Sequence, residues 1–212
     1  MGESQESYAI PRIRVRIESL SDLVFGLALS FGALILIGSQ PKNGLDLLVN
    51  VFIFGFSFMI VVWTWIGYTR TVAVLPPDAP FALPLNVGLL FCVALEPYLF
   101  YVVTTSKTVD LADQFSIGYA LDAGFMFLFL AGLAYSVTKD ERGRGENTRL
   151  HPDIARRFRR LMRLQSIVGG IYLASALPIF WIDTPIGPLR FLLWSSPFVI
   201  VFAFRKPGIV KK

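Results

Sequence analysis

Charge is scarce in this chain. Asp, Glu, Lys and Arg make up only 17% of its 212 residues, against about 25% in an ordinary soluble domain. Histidine and cysteine occur once each. His151 lies in a basic stretch just before Pro152, where a plain loop residue and a group titrating near neutrality are both open readings. No Ser-His-Asp set can be built around it inside a membrane. Cys92 has no partner for an intrachain disulfide and belongs to no metal-ligand spacing. The chain also lacks G-x-S-x-G, a P-loop, G-x-G-x-x-G after a strand, and H-E-x-x-H. These absences argue against an enzyme, and no cofactor or resident metal is expected.

What is abundant is apolar surface. Hydrophobic residues reach 54% and the mean hydropathy is +0.60. They fall in long blocks, and about 20 apolar residues suffice to cross a bilayer as a helix. Six blocks stand out, at roughly 19–39, 46–68, 83–104, 115–137, 161–182 and 189–204. Turn and breaker residues separate them, as in Pro41-Lys42-Asn43-Gly44, Pro76-Pro77-Asp78-Ala79-Pro80 and Thr184-Pro185-Ile186-Gly187-Pro188. Residues 138–160 form a strongly basic connector, part of which is expected to be helical. No connector is long enough for a core of its own. Residues 1–18 are polar, without the apolar core of a signal peptide. The expectation is an all-α, polytopic membrane helix bundle with six transmembrane helices, spanning residues 1–212 as one domain.

Loop charge gives that bundle an orientation. Of the 20 Lys and Arg residues, 17 fall in the N-tail, the second and fourth loops and the C-tail; the opposite side has only Lys42, Lys107 and Arg190. Positive residues stay on the cytoplasmic side. Both termini are therefore expected in the cytoplasm, in a multi-pass protein of the cell membrane. The charge of +5 is accounted for by topology, and no nucleic-acid partner is expected. The arginines at 156, 157 and 160 suit anionic lipid.

The first block holds the most unusual polar residues. Asp22 follows Ser21 near its start, six residues after Arg16. An aspartate there either caps the helix and favours its positive dipole end, or joins Arg16 and Ser21 in a polar cluster facing neighbouring helices. Further on, Leu23, Leu27, Ser30, Phe31, Leu34 and Gly38 share one face by their spacing of three and four. Such a face serves either as bundle core or as the lining of a narrow pore gated by dewetting. Elsewhere, Glu96 and Asp122 are expected to be interfacial or hydrogen-bonded within the bundle. Pro97, Pro178 and Pro197 are expected to kink their helices.

Three motifs together resemble the potassium channels of the transmembrane protein 175 family in its short prokaryotic form. Arg16, Leu20, Ser21 and Asp22 match the family's R-x-x-x-F-S-D, with leucine for phenylalanine. Ser57-Phe58 is followed by Trp65 at the family spacing, with Tyr68-Thr69 where a His-His pair is usual. Leu85-Asn86 is followed by Pro97 eleven residues after the asparagine. The resemblance covers about residues 16–100. It implies a potassium-permeable channel of six-span subunits, assembled as a homotetramer around the first helix. It further implies a constriction at Leu27, Phe31 and Leu34, a hydroxyl layer at Ser30, and an interhelical network of Arg16, Ser21, Asp22, Trp65 and Asn86. Without a T-V-G-Y-G filter, selectivity for potassium over sodium is expected to be modest. The alternative from the residues alone is a proton- or cation-coupled transporter working through an intramembrane carboxylate.

Overall fold

The computed structural model describes residues 3–38, 40–75, 79, 81–106, 108–140, 152–184 and 187–203, with side chains in the first helix from Ile17 onward. These form six helices: α1 (Glu3–Gly38), α2 (Gly44–Val72), α3 (Ala82–Thr105), α4 (Val109–Asp140), α5 (Pro152–Ser175) and α6 (Leu189–Ala203). A two-residue antiparallel ladder, β1 (Asp183–Thr184) with β2 (Gly187–Pro188), makes the reversal before α6.

Within the described residues, four segments are long and apolar enough to cross a membrane: Ile17–Gly38, Gly44–Val72, Ala82–Thr105 and Leu111–Lys139. They mark the chain as a helical membrane protein. Its surface agrees, since Phe52 and Ile37 are each 78% exposed and Phe91 is 66% exposed. A soluble monomer rarely leaves so much apolar surface in water. Helix α6 has 15 residues, about 22 Å at 1.5 Å per residue, and is shorter than a hydrocarbon core. The Arg156–Arg163 run occupies the first half of α5.

Local chemistry sets the helix ends. Asn43 caps α2, its Oδ1 accepting the Asp46 amide at 2.8 Å, while the Lys42 amide donates to Asp46 Oδ2 at 3.2 Å. Two amide donors at the end of a helix are thereby satisfied. Helix α5 stops at Ser175, short of the expected 182. The amides of Ala176 and Leu177 turn to carbonyls three residues back, and Pro178 opens a separate 3-10 turn, Pro178–Phe180. Pro178 therefore starts a turn and kinks no span, because a proline at the first position of a turn sacrifices no needed amide. Pro97 and Pro197 do lie inside helices, in α3 and α6.

Helix α4 is the spine. It packs on α3 and α5 and touches α2. Tyr119, Ala120, Ala123, Met126, Leu133 and Ala134 are all fully buried along it. The α4–α5 crossing is backbone against backbone. A Cβ on Gly169 would lie 2.9 Å from the Gly124 carbonyl oxygen, and one on Gly124 would lie 2.6 Å from Leu173. Small residues permit this approach where lipid supplies no hydrophobic drive between helices. Aromatic rings tie α6 to the rest, with Trp194 4.6 Å from Tyr119 and Phe198 5.4 Å from Phe56, centroid to centroid.

Candidate functional site

Helix α1 rests on α2 and α3 and presents two unlike faces. Ser21, Phe25 and Ala28 are buried against those neighbours. On the other side Leu23, Leu27, Phe31 and Leu34 are 61%, 46%, 53% and 59% exposed, and Ser30 is exposed among them. These side chains are not packed into the chain's own core. The Ser30 hydroxyl donates to the Gly26 carbonyl at 2.8 Å, which keeps its lone pairs available on the exposed face.

The polar residues beside the stripe hold α1 in place. Asp22 lies nineteen residues after Glu3, the first residue of α1, so it is no N-terminal cap. Its Oδ1 instead accepts the indole N–H of Trp65 on α2 at 3.1 Å. Ser21 is completely buried and its Oγ is 2.6 Å from the Tyr68 hydroxyl. The direction of that bond follows from a second one. The single Ser21 hydroxyl proton goes to the Ile17 carbonyl at 2.8 Å, so Tyr68 donates and Ser21 accepts. Asn86 of α3 is buried beside the Tyr68 hydroxyl, and its Oδ1 has no partner among the described residues. Four of the five expected network residues thus gather where α1, α2 and α3 meet. The side chain of Arg16 lies outside the described residues.

Tyr68 is the member of this group that motif matching passed over. It is 2% exposed. A phenol three residues after Trp65, on the same helix face, was the available signal.

A second polar group lies deeper, between α2, α3 and α4. Glu96 is fully buried, and the Ser57 hydroxyl donates to its carboxyl with contacts of 3.0 and 2.9 Å to the two oxygens. The Tyr119 phenol lies beside Glu96 and is itself fully buried. Asp122 is 6% exposed, stands near Cys92, and leaves Oδ2 without a partner. Both carboxyl groups therefore sit inside the bundle, and among the described residues no basic side chain pairs with either. The described residues hold no group of three or more His, Cys, Asp or Glu arranged for a metal ion.

The remaining expected contacts are on the surface. Arg156, Arg157 and Arg160 are exposed on α5, with Arg156 paired to Asp153. His151 lies outside the described residues. Arg190, expected as a loop charge, is instead 4% exposed at the start of α6, paired with Asp113 of α4 and 5.3 Å from the Phe191 ring.

No protein-family model matches the chain, and no curated protein and no solved structure matches it.

Proposed function

We propose that this chain is the subunit of a potassium-permeable cation channel of the cell membrane, a homotetramer whose pore is lined by α1. In this reading each subunit has six spans with both ends cytoplasmic. Leu27, Phe31 and Leu34 form an apolar constriction and Ser30 a hydroxyl layer. Arg16, Ser21, Asp22, Trp65 and Asn86 hold the pore helix on its scaffold, and Arg156, Arg157 and Arg160 meet anionic lipid.

One observation carries the reading: α1 leaves Leu27, Ser30, Phe31 and Leu34 uncovered, with exposed Asp22 on the edge of that face. Against lipid, an aspartate inside a span costs roughly 2.5–3.5 kcal/mol near the helix centre and less towards its end. Facing an aqueous axis or a neighbouring subunit, it escapes that penalty. The uncovered face of α1 thereby differs from the exposed mid-helix residues of α2 and α3, such as Phe52, Met59 and Phe91, which carry no charge. A constriction of aliphatic and aromatic side chains stops ions by dewetting and has no fixed charge with which to rank them, hence the modest preference for potassium.

The test is potassium flux into liposomes holding the purified protein, alongside oligomeric state by native mass spectrometry. Flux down the imposed gradient from a tetramer, raised by Leu27→Ala through a wider constriction, is the expected result. No flux, a monomer, or a Leu27→Ala variant identical to the parent would overturn the proposal. The buried Glu96 and Asp122 favour a second reading, a proton- or cation-coupled carrier, and potassium movement that requires an opposing proton gradient would select it.

A further inference from the structure

Behind α1, on the side away from the uncovered stripe, a crevice of about 90 Å³ opens between α1, α2 and α3. All three helices are long and apolar enough to cross a membrane, so the crevice lies at bilayer depth. It is bordered from Asn50 to Ser57 on α2 and from Pro97 to Thr105 on α3, runs of about 10–12 Å at the helical rise. The crevice therefore extends along the helix axes for most of one leaflet's half of a hydrocarbon core about 30 Å thick. Its hydroxyl-bearing end, at Thr104 and Thr105, lies where α1 finishes and α2 begins. Along the same stretch α1 loses protein cover: beyond Ala28 none of its described residues is buried.

The lining is almost wholly apolar, with Ile35, Ile53, Phe54 and Phe100 among its walls and, among the described residues, no acidic or basic side chain. The hydroxyl protons at its two ends are already used. Thr104 and Thr105 donate to carbonyls of their own helix at 2.9 and 2.8 Å, and Ser57 donates to Glu96. Apolar spaces of this kind stay dry and take apolar guests. A protein helix is too wide for it. A Cβ on Gly32 would stand 3.3 Å from the Phe54 ring, so α1 and α2 nearly touch there, whereas a helix needs about 10–12 Å. What a bilayer supplies at this depth, at high local concentration, is the hydrocarbon chain of its own lipid. Walled by three helices, such a chain makes dispersion contacts along its length, and many small contacts sum to a firm hold. A chain lying over Phe52 or Phe91, both widely exposed, is touched from one side only.

We propose that this crevice holds one acyl chain of a phospholipid from the leaflet at that end, laid between Ile35, Phe54 and Phe100 with its head group beyond Thr104 and Thr105. The bound chain supplies the packing that α1 lacks beyond Ala28. Selection is by the chain and not by head-group charge, because no charged side chain lines the crevice. This sets the site apart from the arginines of α5, where head-group charge decides. The site also lies apart from the α1 stripe and does not require the protein to conduct.

The experiment takes the full chain from bilayers of phosphatidylcholine or of phosphatidylglycerol with identical acyl chains, and counts the lipids it retains by native mass spectrometry. One lipid per chain should be retained from phosphatidylcholine. Gly32→Leu and Ile53→Trp fill the space and should each lower the count by one in both bilayers. No retention from phosphatidylcholine would overturn the proposal, since lipid kept only when anionic belongs to the arginines of α5. A count unchanged in both variants would overturn it equally. Should the variants fail to fold, a phospholipid bearing a diazirine in its acyl chain decides on the parent protein. Saturable labelling of Phe54 and Phe100 above that of Phe52 and Phe91 supports the site, and even or reversed labelling refutes it. Neither readout involves ion conduction, so failure here and failure of the channel reading stay separate.

Discussion

The bond between Ser21 and Tyr68 offers a sharp test of how α1 is held. Tyr68 donates to Ser21, while Ser21 donates to its own helix at Ile17. The two partners are therefore not equivalent. Tyr68→Phe removes the donor and leaves Ser21 with its proton still placed on Ile17. The cost should be that of one net hydrogen bond, about 0.5–1.5 kcal/mol. Ser21→Ala removes the acceptor and leaves a buried phenol proton, worth about 1–3 kcal/mol if it stays orphaned. The double variant should cost no more than Ser21→Ala, with a coupling of about 0.6–1.7 kcal/mol, as for hydrogen bonds between membrane helices. Reversible unfolding in mixed lipid–detergent micelles measures all four corners of the cycle. Additive losses, or Tyr68→Phe costing clearly more than Ser21→Ala, would refute the assigned donor direction.

Two further outcomes follow from the packing. Gly169→Ala drives a methyl against the Gly124 carbonyl, with no flexible atom to yield, and should destabilise the bundle by about 1–3 kcal/mol, read as a lower midpoint in the same unfolding assay. Asp113→Asn strands the buried Arg190 charge and should cost about 3–5 kcal/mol, whereas an Asp113→Leu, Arg190→Met double variant should recover most of it; a double variant no better than the single one would contradict the pairing.

The sequence made the spans legible where hydropathy and turn residues agreed. Asn43-Gly44 opens α2 as its chemistry requires, while the proline cluster at 76–80 lies, apart from Ala79, outside the described residues. It did not reveal where α5 stops, because apolar content continues past Ser175 and only the retreat to shorter hydrogen bonds at Ala176 and Leu177 marks the end. Asp22 had two readings from sequence. The choice needed the length of α1, since an aspartate caps a helix only at its start. The pairings of Tyr68 with Ser21 and of Ser57 with Glu96 were hidden for a different reason. The partners lie 47 or 39 residues apart in the chain, and no local pattern encodes such a pairing. The burial of Arg190 was hidden because its partner Asp113 lies in a different helix, far away in the chain.

The glycine-on-carbonyl contact between α4 and α5 has a mechanical consequence. Two helices that touch at their backbones have no side-chain cushion between them. Neither can roll about its own axis without driving a larger side chain into the other's peptide groups. The pair behaves as one stiff bearing. Helix α1 packs on α2 and α3 through side chains such as Phe25 and Ala28 and is tied to α2 by an indole on a carboxylate and a phenol on a hydroxyl. The helix that carries the uncovered stripe is thus joined to its neighbours by side chains, not by backbone contact.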